Sequence, residues 1–242
     1  MREAAAPEII VAPDLAALVD TTAARIRAVA AAAIAARGRF RVALAGGSTP
    51  RALYPALTDG GIDWTRGEIF FGDERAVPPD DPQSNYRMAR ETLLDPAAVP
   101  AANVHRWRAE ATDLDAAARD YESVLRAAAA GPPWFDLALL GLGPDGHTAS
   151  LFPGTSALTE ENRLAVAVDV PAVGGRRLTL TYPALLGAAA IFFLVAGGDK
   201  AAALADVLRP GSTLPAARIV HRTAPVCIFC DDAAARDITS AS

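Results

Sequence analysis

Several strand-like segments of this chain are apolar almost from end to end: residues 40–45, 135–142, 189–196 and 226–230. A strand with no polar face has to be covered on both sides. Helical segments separate these strands. Asp14 can cap a helix whose apolar positions Leu15, Leu18, Val19, Thr22, Ile26, Val29 and Ala33 recur near the helical period, and Arg37-Gly38 closes it. Further helices are expected over 51–57, 85–94, 113–129, 200–208 and 231–236, the first opened by Thr49 as N-cap and Pro50 in its first turn. Other strands are expected at 68–71, 104–107, 164–170 and 177–181, and residues 72–84 read as a polar, proline-rich loop. The alternation predicts an α/β fold: a Rossmann-like, three-layer arrangement of an open, mostly parallel sheet with helices on both faces. With no Ser- or Pro-rich linker and no internal repeat, residues 1–242 are expected to form a single domain.

Composition narrows the function classes. The 242 residues are 52% hydrophobic and 21% charged, with a formal net charge of -5. A chain of this size can bury roughly 70% of its surface, so it needs neither disulfide nor structural metal. Mild acidity argues against a nucleic-acid or anionic-membrane partner, while a site for a small anion needs only local positive charge. The longest apolar run, 187–198, falls short of the roughly 20 residues of a membrane-crossing helix. Met1-Arg2-Glu3 leads into no signal-type apolar core, which makes the cytoplasm the default location. A monomer and a homodimer both fit the sequence. Cys227 and Cys230 form a Cys-x-x-Cys, but side chains three apart on a strand point to opposite faces, and a zinc site would want more ligands. Two small apolar core residues is the expectation.

Ligands of open α/β sheets bind at the carboxyl ends of strands, and three polar clusters fall there. In Gly46-Gly47-Ser48-Thr49, glycines after a strand let backbone N–H groups approach an anion, a helix start follows, and two hydroxyls add donors. The spacing is neither a P-loop nor a dinucleotide fingerprint, and a plain turn with a helix cap is the alternative. Gly72-Asp73-Glu74-Arg75 sets three charges directly after an apolar strand, which is costly unless they are paired or liganded. Arg75 can fork onto a phosphate or carboxylate; a local ion-pair knot is the alternative. Gly141-Leu142-Gly143-Pro144-Asp145-Gly146-His147-Thr148 supplies an imidazole suited to general-base work, with a carboxylate two residues before it to orient the ring. The other histidines, His105 and His221, lie in no such glycine-rich strand end. Lys200 follows Gly197-Gly198-Asp199 at a further strand end, where a lysine opposes the helix dipole and an anion partner would explain it.

These segments, with Ser84-Asn85-Tyr86-Arg87 and the continuation Ala149-Ser150-Leu151-Phe152-Pro153-Gly154, resemble the 6-phosphogluconolactonases over essentially the whole chain. The resemblance implies metal-independent hydrolysis of 6-phospho-D-glucono-1,5-lactone to 6-phosphogluconate, the second step of the oxidative pentose phosphate pathway, with no cofactor. It implies His147 as the base that activates water, Asp145 as its support, and Gly46, Gly47, Ser48, Thr49, Asp73, Arg75 and Lys200 around the phosphate and nearby substrate oxygens. The related glucosamine-6-phosphate deaminases resemble Asp-Glu-Tyr where this chain has Asp73-Glu74-Arg75, and Ile-Ala-Phe-Asn-Glu-Pro where it has Thr148-Ala149-Ser150-Leu151-Phe152-Pro153. Both differences favour the lactonase. Tyr182 and Leu186 stand where the family often has Leu and Asn. A non-catalytic sugar-phosphate sensor on the same fold would have no use for both Asp145 and His147.

Overall fold

The computed structural model describes residues 6–222 and 225–239. Met1-Arg2-Glu3, read above for targeting, lies outside them. The main sheet takes strands β1 (Glu8–Ala12), β2 (Phe40–Leu44), β3 (Gly67–Phe71), β5 (Leu137–Gly141), β8 (Ala190–Val195) and β9 (Val226–Asp231), with β4 (Asp73–Arg75), β6 (Ala165–Val170) and β7 (Gly175–Leu180) forming a second sheet. The helices are α1 (Leu15–Arg37), α2 (Ser48–Leu53), α3 (Asn85–Ala89), α4 (Leu114–Ala128), α5 (Tyr182–Leu186), α6 (Ala201–Leu208), α7 (Pro215–Val220) and α8 (Asp232–Thr239). All six strands of the main sheet run parallel, in the order β1-β9-β8-β5-β2-β3. Every residue of β2 and β9 is buried, which is why those segments have no polar face.

That strand order contains a reversal. From β2 the chain crosses to β3 on one side; from β5 it crosses to β8 on the other. β2 and β5 are neighbours, so the connections leaving their carboxyl ends diverge and open a crevice between them. The two glycine-rich segments, 46–49 and 141–148, leave from those two ends.

Local signals place α1 and α4 well. Asp14 accepts from the Ala17 backbone N–H at 2.9 Å, and Gly38 ends α1 in the left-handed region at φ 76. Asp113 caps α4 in the same way. Elsewhere packing overrides the sequence pattern. The expected helix 51–57 begins at Ser48, because Gly47 at φ 103 turns the chain two residues earlier than a Thr49 cap would, and it tightens into a 3₁₀ turn over Tyr54–Leu57. Residues 104–107 make a single bridge from Val104 to Ile69 and no strand. The loop expected over 72–84 contains β4, which has no apolar alternation and exists because β7 pairs with it. Segments 164–170 and 177–181 form a hairpin that joins β4 in a three-stranded antiparallel sheet and adds nothing to the parallel one. The edge strand β1 and the short helices α5 and α7 were not legible from periodicity.

Cys227 and Cys230 are free and buried in β9. Burial pushes their thiols up to about 12 and about 11, so at neutral pH both are un-ionised and poor nucleophiles. Neither is expected to react with an aromatic disulfide reagent in the native protein, and both should react once urea unfolds it; rapid labelling of the folded protein would contradict this packing. Among the described residues, no helix is long and apolar enough to cross a membrane.

Candidate active site

A cavity of about 210 Å³ opens at the β2/β5 switch point. The sequence-predicted residues Gly46, Gly47, Ser48, Thr49, Asp73, Arg75, His147 and Lys200 all line it; Asp145 stands behind His147. The structure therefore gathers segments up to about 150 residues apart in the chain around one space.

The imidazole–carboxylate pair is built by a tight turn. The Gly143 N–H donates to the His147 carbonyl at 2.8 Å and the Gly146 N–H to the Gly143 carbonyl at 3.0 Å. Gly146 sits at φ 77, a conformation side chains rarely adopt. The turn brings His147 Nδ1 to 2.5 Å from Asp145 Oδ1, which also accepts from the His147 backbone N–H at 3.2 Å. Partial burial acts to raise the Asp145 carboxyl, but these His147 contacts outweigh it and hold the group below its ordinary value. An ionised carboxylate only accepts, so Nδ1 carries a proton, and in the neutral ring the lone pair then lies on Nε2. Phe152 stacks on the imidazole at 3.8 Å between centroids and 20° between planes, fixing the ring's tilt.

Across the cavity, Asp73 and Arg75 are organised by Asn85, a buried residue that the sequence offered only as part of a motif. Its amide N donates to Asp73 Oδ1 at 3.0 Å, and its amide O accepts from Arg75 Nη1 at 2.8 Å. The Ser150 hydroxyl holds the other Asp73 oxygen at 2.6 Å. Gly46 is a glycine for this reason: a Cβ there would stand 2.0 Å from Asn85 Oδ1. The ion-pair knot considered for 72–75 does not form. Glu74, 2% exposed, turns away and accepts from the Ser84 hydroxyl and the backbone N–H groups of Arg75, Asn85 and Tyr86. Burial raises its carboxyl against the pull of those four bonds. Arg75 is left with two neutral acceptors, Asn85 and the Gln83 carbonyl, and no carboxylate among the described residues.

Gly47 opens α2, so the N–H groups of Ser48 and Thr49 have no intrahelical acceptor and are free to meet a ligand. Lys200 lies in a 3₁₀ turn at the end of β8 and pairs with the exposed Asp199 at 3.0 Å, a contact weak enough to yield to a stronger anion. Tyr182, the departure noted above, is buried at α5; its hydroxyl donates to the Pro215 carbonyl at 3.0 Å, a structural role apart from the cavity. Among the described residues, no group of three or more His, Cys, Asp or Glu is placed to hold a metal ion.

A parallel sheet with a glycine loop, an arginine without a counter-ion and an imidazole–carboxylate pair gathered at its switch point is the architecture of an α/β enzyme. The chain belongs to the glucosamine-6-phosphate isomerase/6-phosphogluconolactonase family of enzymes, whose model matches residues 13–228. It is 46% identical over 182 residues to a 6-phosphogluconolactonase of Synechocystis, covering 74% of this chain and 75% of that one. It is 40% identical over 236 residues to the 6-phosphogluconolactonase of Mycobacterium tuberculosis, covering 93% and 96%. The solved 6-phosphogluconolactonase from Trypanosoma cruzi superposes with a TM-score of 0.86 at 28% identity, covering 96% and 97%.

Proposed function

We propose that this protein hydrolyses 6-phospho-D-glucono-1,5-lactone to 6-phosphogluconate in the oxidative pentose phosphate pathway, as one catalytic unit and with water activated by His147. The observation that carries the reading is that His147, paired with Asp145, lines one cavity together with an arginine without a counter-ion. With Nδ1–H held by Asp145, Nε2 removes a proton from water as its oxygen adds to the lactone carbonyl carbon. Asp145 stabilises the imidazolium that results. When the tetrahedral adduct collapses, the ring C–O bond breaks and the proton on Nε2 passes to the departing ring oxygen. The base regains its lone pair, and the carboxylic acid so formed gives its remaining water-derived proton to solvent and leaves as a carboxylate. Donors aimed at the adduct's oxyanion and at the phosphate come from Gly46, Gly47, Ser48, Thr49, Arg75 and Lys200, with Asp73 holding Asn85 and thereby Arg75. The phosphate supplies remote binding energy that positions the carbonyl. No step calls on a metal or a cofactor.

The test is turnover of freshly generated lactone in EDTA. Acceleration well above spontaneous hydrolysis supports the reading. No acceleration, with release of ammonia from glucosamine-6-phosphate, would move the chain to the deaminase branch. Arg75→Ala is expected to raise KM for the phosphorylated lactone about 10-fold or more, with a smaller effect on kcat, since a charge-assisted hydrogen bond is worth ~1.5–3 kcal/mol. An unchanged KM would remove Arg75 from the phosphate site.

A further inference from the structure

Arg177 has no part in the site as described, yet its position is unusual. It is the direct partner of Arg75 across the β4–β7 ladder. Side chains directly opposed in an antiparallel pair leave the sheet on the same face, and like charges so placed repel. Two pairs along, and so on the same face, the ladder sets Thr179 opposite Asp73. There the Ser150 N–H donates to Thr179 Oγ1 and the Ser150 hydroxyl to Asp73, so this face of the small sheet is the one that meets the cavity wall. Arg177 Nε is shielded from solvent and has no acceptor. Burial first, then the charge of Arg75, lowers the pKa of its guanidinium.

Neighbouring carboxylates do not resolve this. Asp73 is taken up by Asn85 and Ser150, and Glu74 by Ser84 and three backbone N–H groups. Two guanidinium groups thus stand side by side, one with neutral acceptors only and the other with a shielded N–H and no acceptor. A single neutral oxygen would satisfy one donor and leave the repulsion in place. A dianion with several oxygens would answer both charges and accept from both forks.

We infer that Arg177 is a second guanidinium for the substrate's phosphate group, acting beside Arg75 at the edge of the cavity. The inference rests on the sugar-phosphate reading of that cavity.

Arg177→Gln tests it in two ways. In steady-state kinetics, kcat/KM should fall at least about 10-fold more for the phosphorylated lactone than for glucono-1,5-lactone, with the loss mainly in KM. In thermal melts without ligand, the variant should unfold at or above the wild-type temperature, because the repulsion is relieved. Inorganic phosphate should raise the wild-type Tm and raise that of the variant less. Arg177→Lys, which keeps the charge without the fork, should fall between the two. A purely structural arginine would give the opposite pattern, a lower Tm without ligand and an unchanged KM, and would overturn the inference. So would equal protection of wild type and variant by phosphate, or no protection of the wild type. The phosphate melts do not depend on turnover, so a wild type that left the lactone untouched would sink the lactonase reading while Arg177 was still being judged.

Discussion

Replacing His147 by alanine should lower kcat for lactone hydrolysis by about 100-fold or more, the scale on which a positioned general base contributes. The argument is geometric. Asp145 Oδ1 lies 2.5 Å from Nδ1 and fixes the proton there, and Phe152 stacked at 3.8 Å fixes the ring's tilt. Nε2 is therefore the one imidazole atom left to accept a proton. No other histidine can take over: His105 is stacked on Phe70, with its pKa lowered by burial, and His221 Nε2 contacts the Val207 carbonyl. KM should change little, since the residues proposed to hold the phosphate are the glycine loop, Arg75 and Lys200. Measuring kcat and KM with fresh lactone, after subtracting spontaneous hydrolysis, decides it. A variant that turned over at the wild-type rate would mean that some other group activates the water.

Gly143→Ala is expected to be nearly as damaging, although it adds only a methyl group and removes no functional atom. A Cβ at that position would lie 2.0 Å from His147 Nδ1 and 2.7 Å from Asp145 Oδ1. Real Cβ atoms do not approach so closely, so the imidazole and the carboxylate must move apart. Gly143 is not among the glycines at positive φ, so its backbone accepts alanine and the cost falls on the His147–Asp145 pair. Misplacement of a reacting group by about 1 Å can cost on the order of 100-fold. We expect a kcat loss of that order, a near-normal KM and a melting temperature close to wild type. Retention of full kcat would show that the His147–Asp145 contact is dispensable. A collapsed melting temperature would instead place the strain in the fold.

How much of this was legible beforehand varied with the kind of signal. α1 and α4 were readable because their caps, Asp14, Gly38 and Asp113, are local devices whose partners lie three or four residues away. The parallel sheet was readable because strands buried on both faces lose their polar alternation. β4 was not, because Asp73-Glu74-Arg75 has no strand pattern of its own and its conformation depends on pairing with β7, about 100 residues later. Asn85 was visible as part of a motif but not as the residue that ties Asp73 to Arg75. An asparagine's two-sided hydrogen bonding has meaning only when both partners are in reach.

The candidate groups themselves were legible in the sequence. Residue types at strand ends state which groups can donate, accept or move a proton, and those intrinsic properties do not depend on the fold. What the tertiary structure alone decided was who faces whom. The strand order put the carboxyl ends of β2 and β5 side by side, and with them the glycine loop and the His147 turn. It turned Glu74 inward to hold α3 and left Arg75 without a counter-ion. It also set Arg177 opposite Arg75. Charge is a property of one residue. Whether that charge is neutralised, opposed or left open for a ligand depends on distances, and the chain sets those only by folding.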